Sequence, residues 1–171
     1  MRRTLFLTAV LVLAIAALGF AQAKPDFSGT WTLDLDKSEM GGPGPGGPGA
    51  DRPGRGQGYP LDAKFVVKQT ASELSIDQQV GGNSNLIAYK LDGSESVNAG
   101  MRGGQVRSKA RWDADKLVVE STQTMNTPDG ERTLETKEVR SLAADGTMVV
   151  ERTTVTPRGT RTQKLVFKKT T

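Results

Sequence analysis

The sequence predicts an all-β protein, an antiparallel up-and-down β-barrel of about eight to ten strands. Residues 27–36 alternate between apolar or small side chains and polar ones, the period of a strand with one buried face. Short runs of the same kind, separated by turn-forming residues, follow from residue 63 to the end of the chain. No longer stretch keeps the 3.6-residue period of a helix, so successive strands should pair as hairpins.

The turn residues between these runs set the expected strand limits and pairing. After the first strand at 27–36, strands are expected at 63–70, 73–80, 85–92, 94–98, 105–113, 116–125, 132–142, 147–156 and 161–168. The predicted opposite pairs are Trp112 with Leu117 across 113–116, Leu142 with Met148 and Glu138 with Arg152 across 144–146, and Val150 with Phe167 and Arg152 with Leu165 across 157–160. A one-residue error in any loop would turn these side chains to the opposite face.

The first 23 residues have the three parts of a secretory signal peptide. Arg2 and Arg3 form a basic start, Leu5–Phe20 is an uncharged apolar run of 16 residues, and residues 21–23 form an Ala-x-Ala cleavage site. The alternative is a membrane anchor, but the run is shorter than the roughly 20 residues that span a bilayer. We therefore expect an exported chain, periplasmic or extracellular, with one domain over 24–171 and no stable membrane insertion.

Residues 41–60 interrupt the strand pattern. They contain nine glycines and five prolines and have almost no apolar surface to bury. Such a segment cannot offset the entropy lost on ordering, so we expect a disordered loop. The functional alternative is a mobile flap over the mouth of a cavity.

Charge and composition exclude several classes of function. Removing Arg2 and Arg3 from the 23 basic residues leaves 21 against 19 acidic ones, too balanced for a nucleic-acid-binding face. The chain has no Cys and no His, which removes thiol and Ser-His nucleophiles and the usual zinc sites. The close carboxylate pairs, Asp34 with Asp36 and Asp113 with Asp115, lie on polar faces or in turns. We therefore expect no enzyme activity, no metal and no cofactor.

The predicted inner face mixes apolar and polar side chains. Its apolar members are Phe27, Trp31, Leu33, Leu35, Phe65, Val67, Leu74, Ile76, Ile87, Tyr89, Leu91, Trp112, Leu117, Val119, Leu165 and Phe167. Its polar members are Gln69, Gln78, Ser121, Gln123, Glu138, Arg140, Arg152 and Gln163. A close-packed core would not accept so many polar groups, because each unpaired one costs about 1–3 kcal/mol. Either some faces are assigned wrongly or the barrel holds a hydrated cavity, and we favour the cavity.

The first strand resembles the opening strand of the calycin superfamily, which includes lipocalins and fatty-acid-binding proteins. The residues that carry the resemblance are Phe27-x-Gly29-x-Trp31-x-Leu33. In this superfamily a Gly-x-Trp lies at the closed end of the barrel, and the Trp stacks under a basic side chain from a late strand. The resemblance implies a structural role for Gly29 and Trp31 at the barrel end. Ten strands match the fatty-acid-binding proteins, and the Phe-Ser-Gly-Thr-Trp start with a Pro/Gly-rich insert is similar to exported bacterial lipocalin-like proteins.

The resemblance implies a binding protein for a small apolar or amphipathic, lipid-like ligand. Arg140 and Arg152 would receive a polar or carboxylate head, with Glu138 holding Arg152 in position. The alternative is a cavity-free β-barrel or sandwich that makes protein–protein contacts in the cell envelope. The candidate ligand-binding residues are Phe65, Tyr89, Trp112, Glu138, Arg140 and Arg152.

The signal-peptide hypothesis predicts the N-terminus of the mature chain. Expression in a bacterial host should yield a soluble exported form that begins at Lys24, because the Ala-x-Ala site ends at residue 23. Intact-mass measurement of the exported protein tests this. Full-length chain retained in the membrane fraction would contradict it.

Overall fold

Ten antiparallel strands form one sheet in the computed structural model of the protein. The structure describes residues 24–39, 63–80, 82–100, 104–127, 130–156 and 159–170. The predicted signal peptide at 1–23 and loop at 41–60 lie outside these residues. The strands are β1 (Gly29–Leu33), β2 (Lys64–Gln69), β3 (Glu73–Val80), β4 (Asn83–Lys90), β5 (Glu95–Ala99), β6 (Gln105–Asp113), β7 (Lys116–Thr127), β8 (Gly130–Leu142), β9 (Met148–Thr156) and β10 (Gly159–Thr170).

The sheet closes on itself almost completely. Its strand order is β4-β3-β2-β1-β10-β9-β8-β7-β6-β5, so the first strand pairs with the last. The two edge strands, β4 and β5, are joined by side chains: Asn98 Oδ1 accepts from the Ala88 N–H at 2.9 Å, and Asn98 Nδ2 donates to the Ala88 carbonyl at 3.0 Å. Ser96 Oγ accepts from the Lys90 N–H at 2.9 Å. The predicted all-β antiparallel barrel is thus confirmed, as a nearly closed one.

Two predicted hairpin registers are confirmed. Trp112 lies opposite Leu117 in β6 and β7, and Glu138 lies opposite Arg152 in β8 and β9. At the β8–β9 turn, the Thr147 hydroxyl and backbone N–H donate to the Asp145 carboxylate at 2.6 and 3.0 Å. These bonds, with a smaller contribution from Lys37, lower the pKa of Asp145 to about 2.

The β9–β10 register corrects the prediction by two residues. Val150 lies opposite Leu165 instead of Phe167. Arg152 lies opposite Gln163 instead of Leu165. The pairing continues to Thr156 opposite Gly159. These two residues are closer to the turn than the predicted four-residue loop at 157–160 allows. Because side chains alternate with period two, the shift leaves each one on its predicted face.

The first strand is shorter than predicted, which corrects the position of Leu35. Strand β1 ends at Leu33, and residues 35–37 form a turn. The Asp34 N–H donates to the Val166 carbonyl at 2.7 Å as the chain leaves the sheet. Leu35 is therefore 48% exposed instead of buried on the inner face.

One end of the barrel is filled by aromatic side chains. Phe27 and Trp112 stack with ring centroids 6.0 Å apart, and Trp31 Nε1 donates to the Phe27 carbonyl at 2.9 Å. Lys169 Nζ lies 5.5 Å from the Trp31 ring centroid. Gly29 has φ +138°, and a Cβ there would meet Lys169 Cε at 2.3 Å. The positive φ favours glycine at this position, and a side chain there would also displace the end of the Lys169 side chain.

The aromatic end belongs to a continuous apolar cluster inside the barrel. Its buried members are Phe27, Trp31, Leu33, Ala63, Phe65, Val67, Leu74, Ile76, Tyr89, Leu91, Ala110, Leu117, Val119, Met148, Val150, Leu165 and Phe167. In the part of the chain that the structure describes, no helix has the length and apolar character to cross a membrane.

Replacing Trp31 should destabilise the barrel strongly. Trp31 is 1% exposed, so Trp31→Ala should lower the free energy of unfolding by about 3–5 kcal/mol, as for other large buried aromatics. The control is Leu86→Ala, because Leu86 is 64% exposed and its loss should change stability by about 0.5 kcal/mol or less. Urea denaturation followed by circular dichroism measures both. Equal effects of the two substitutions would contradict the core position of Trp31.

Candidate ligand-binding cavity

A cavity of about 270 Å³ lies inside the barrel between two chemically different walls. Strands β2, β3 and β4 provide a mainly apolar wall. Strands β5 to β9 provide most of the polar and charged groups. The lining residues are Phe65, Val67, Ile76, Gln78, Ile87, Tyr89, Asn98, Ala99, Val106, Ser121, Gln123, Leu134, Thr136, Glu138, Arg140, Met148, Arg152 and Phe167.

Strand alternation explains how a short segment supplies several lining groups. On β8 every second residue from Leu134 to Arg140 faces the cavity, while Glu135 and Lys137 between them are exposed. On β2 the same period places Phe65 inward. A charged strand can therefore contribute to the interior without placing all its charges there.

The charged part of the lining is a cluster of one carboxylate and two guanidinium groups. Arg140 Nη2 donates to Glu138 Oε2 at 2.5 Å, and Arg152 Nε lies 3.6 Å from Glu138 Oε1. Arg140 is two residues from Glu138 on the same strand, and Arg152 is opposite it on the next. The side chains of Glu138, Arg140 and Arg152 are 10%, 7% and 24% exposed.

The formal charges of this cluster do not cancel. Two guanidinium groups and one carboxylate sum to one positive charge, and the other lining side chains of the described cavity are uncharged. Electrostatic attraction is stronger where water is excluded. The cluster therefore creates a favourable position for an anionic group beside an apolar wall.

The structure brings five of the six predicted ligand-binding residues together. Phe65 and Tyr89 lie on the apolar wall, and the three charged residues form the cluster just described. Trp112 is the exception. It faces inward at the β6–β7 turn, but Phe27 covers it, and Lys24 Nζ lies 5.4 Å from its ring centroid. The expectation that Trp112 lines the apolar part of the cavity is therefore corrected: it fills the aromatic end of the barrel.

Sequence reasoning missed two polar lining residues, Asn98 and Thr136. Thr136 shares the β8 period of Glu138 and Arg140, so the alternation that found those residues could also have found it. Asn98 gave no comparable signal. It lies on a five-residue edge strand, and its bonds to Ala88 across the gap follow only from closure of the barrel.

The described residues offer little for metal binding. They contain no group of three or more His, Cys, Asp or Glu side chains arranged to hold an ion. Asp34, one of the carboxylates considered for acid–base chemistry, forms an ion pair with Lys168 at 3.3 Å. The cavity lining offers hydrogen-bonding groups, charge and apolar surface.

Comparison of whole folds identifies solved structures with a similar barrel. No protein-family model matches the sequence, and curated proteins gave no significant sequence match. Solved structures do match. Zebrafish ileal bile acid-binding protein complexed with cholic acid is 14% identical, with a TM-score of 0.54 over 84% of this chain and 98% of that one. The chain has a calycin-like fold.

Two further structures show the same likeness. The REP1-NXSQ fatty acid transporter is 13% identical with a TM-score of 0.54, over 85% of this chain and 97% of that one. Human cRBP IV is 18% identical with a TM-score of 0.54, over 85% of this chain and 99% of that one. At these identities the similarity establishes the fold. The resemblance seen in Gly29 and Trp31 thus extends to the order and number of strands in this calycin-like barrel.

A double-mutant cycle tests the charged cluster. Glu138→Gln should destabilise the protein more than Arg152→Met, because it leaves two guanidinium groups without their shared carboxylate. The coupling energy between the two substitutions should fall within about 0.5–3 kcal/mol. Urea denaturation of the four proteins at one pH and salt concentration gives this value.

The matched control is the outer-surface pair Arg111 and Glu120, which are 3.3 Å apart and about half exposed (53% and 52%). The cycle of Arg111→Met with Glu120→Gln should give a coupling below about 1 kcal/mol. A Glu138–Arg152 coupling no larger than that of the surface pair would contradict a buried cluster.

Proposed function

We propose that the protein is an exported, non-enzymatic binding protein that holds a small apolar or amphipathic, lipid-like molecule in the barrel cavity. The observation that carries this proposal is the buried cluster of Glu138, Arg140 and Arg152 beside an apolar wall. An amphipathic molecule has the two matching parts, a polar or anionic head and an apolar body. Export is inferred from the signal-like residues 1–23.

A carboxylate is the head group that best suits the cluster. Guanidinium groups bind carboxylates through two parallel N–H bonds, and such charge-assisted bonds are stronger than neutral ones. A ligand carboxylate would also balance the positive charge of the cluster. Glu138 then acts as a positioning residue that orients both arginines.

The apolar wall supplies contact with the ligand body. Phe65 and Tyr89 are buried at 4% and 7% exposure and already lie in the wall, so binding need not order them. The cavity of about 270 Å³ lies just below the roughly 300–1,000 Å³ of typical small-molecule pockets, which favours a small ligand.

The compared proteins support the same class of function. One is a bile acid-binding protein complexed with cholic acid, and another is a fatty acid transporter. Both are binding or transport proteins rather than enzymes, and both have the calycin-like barrel. Because the sequence identity is low, the cavity of this chain, more than the compared proteins, indicates the ligand.

Titration with decanoate tests the proposal. Isothermal titration calorimetry of the wild-type protein should show one binding site. Arg152→Met should weaken decanoate binding by about tenfold or more, since a hydrogen bond to a charged group contributes roughly 1.5–3 kcal/mol. The matched control is Lys137→Met, which removes a cation from the exposed face of β8 and should leave the affinity unchanged.

Two results would overturn the proposal. One is no binding of decanoate, of the uncharged decanol, or of lipids carried through purification and detected by mass spectrometry. The other is equal loss of affinity in Arg152→Met and Lys137→Met, which would place the interaction in the overall surface charge.

A further inference from the structure

A row of hydroxyl side chains crosses the polar wall of the barrel. Ladder pairing places five hydroxyl-bearing residues directly opposite one another on β5 to β9, on the face that alternation directs inward. We call them the hydroxyl row. Two of them, Ser121 and Thr136, line the cavity. The row consists of Ser96, Ser108, Ser121, Thr136 and Thr154.

The hydroxyl row lies beside the charged cluster. Thr136 is two residues before Glu138 on β8, so the hydroxyl row and the row containing Glu138 and Arg152 are about 7 Å apart at ~3.4 Å per residue. A ligand with its anionic head at the arginines and its body along the strand direction of β8 would therefore pass the hydroxyl row.

The hydroxyl row keeps hydrogen-bonding capacity toward the cavity. Ser108 Oγ and Ser121 Oγ are 2.8 Å apart, so each contributes to one shared bond. A hydroxyl has one donor and two acceptor positions, so this bond leaves Ser121 able to bond a second group. Ser108 is 2% exposed and lies beside Ser121 on the neighbouring strand.

An amide extends the polar wall by one more step. Gln123 is two residues beyond Ser121 on β7 and lines the cavity. Its Nε2 atom is buried and has no hydrogen-bond partner within the described ranges of the chain. A buried donor without an acceptor is unfavourable, and a ligand oxygen would satisfy it.

The opposite wall is mainly apolar. Phe65, Val67, Ile76 and Ile87 face the cavity from β2, β3 and β4, with Gln78 as an amide among them. The two walls therefore prefer different sides of a ligand. A plain alkyl chain would match the apolar wall but would place hydrocarbon against hydroxyl and amide groups.

We propose that the natural ligand is an oxygenated carboxylate whose hydroxyl or carbonyl groups lie along one side and bond to Ser121, Thr136 and Gln123. This inference rests on the proposed function, because it assumes an anionic head at Arg140 and Arg152. It makes the three polar residues determinants of specificity. They distinguish a ligand with polar groups on one side from a plain fatty acid of equal length.

Two probes of equal length test the inference. Decanoate and a decanoate with a hydroxyl group at mid-chain share the carboxylate and nearly the same volume. Wild-type protein should bind the hydroxylated probe about fivefold or more tightly, as expected for one gained neutral hydrogen bond. Calorimetric titration gives both affinities under identical conditions.

Variants of the polar wall test which residues cause the preference for the hydroxylated probe. The double variant Thr136→Val, Gln123→Met keeps side-chain size and removes the polar groups, so the ratio of the two probe affinities should fall to about one. Thr136→Ser in place of Thr136→Val should restore part of the preference. The control Thr122→Val changes an exposed threonine on the outer face of β7 and should leave both affinities unchanged.

The outcomes separate this inference from the proposed function. If decanoate binds and the hydroxylated probe binds no better, the inference is overturned and the proposed function stands. Loss of the preference equally in Thr122→Val would also overturn it. If neither probe binds to folded wild-type protein, the proposed function fails and the inference fails with it.

Discussion

Pairing of the first strand with the last is the interaction on which the rest of the structure depends. Thr30 lies opposite Thr170 and Leu33 opposite Phe167, so β1 joins β10 directly. Without this ladder the ten strands would be an open meander with two long exposed edges. With it, one face of every strand becomes the interior of a barrel. The aromatic end, the charged cluster and the two-sided cavity all follow from this closure.

Closure also explains why buried charge is tolerated. Glu138, Arg140 and Arg152 lie on two neighbouring strands whose register brings them within ion-pair distance. The same side chains facing a flat, water-exposed sheet would contribute little, because solvent screens exposed pairs. Inside the barrel they form a fixed group of charges that the strand backbone holds in place. A partly charged interior next to an apolar wall differs from a close-packed apolar core.

The backbone ladder of the barrel is interrupted between the edge strands β4 and β5. Between β4 and β5, side chains of Ser96 and Asn98 replace the usual backbone ladder. An asparagine side chain offers both a donor and an acceptor, so it can bond the N–H and the carbonyl of Ala88 as a neighbouring strand would. Edge strands that are neither paired nor covered invite association with other chains. These side-chain bonds cover the one pair of adjacent described strands that no ladder joins.

The sequence by itself determined the strands and their faces. Period-two alternation, turn residues and loop lengths were sufficient to place Trp31 and Phe65 inward and to put Glu138 opposite Arg152. These are local properties, because a short turn fixes the register of the two strands it connects. At the β9–β10 turn the predicted register was wrong by two residues, but each side chain still lies on its predicted face.

Only the tertiary structure decided which inward residues meet. Trp112 and Tyr89 have the same alternation signal, yet Phe27 covers Trp112 and Tyr89 lines the cavity. Leu35 continues the alternation of β1 but lies beyond the point where the chain turns away. The bonds of Asn98 depend on two edge strands meeting after the whole sheet has curled. Alternation records the side of a strand that a residue faces, whereas position along the barrel axis and distance across its interior depend on closure of all ten strands.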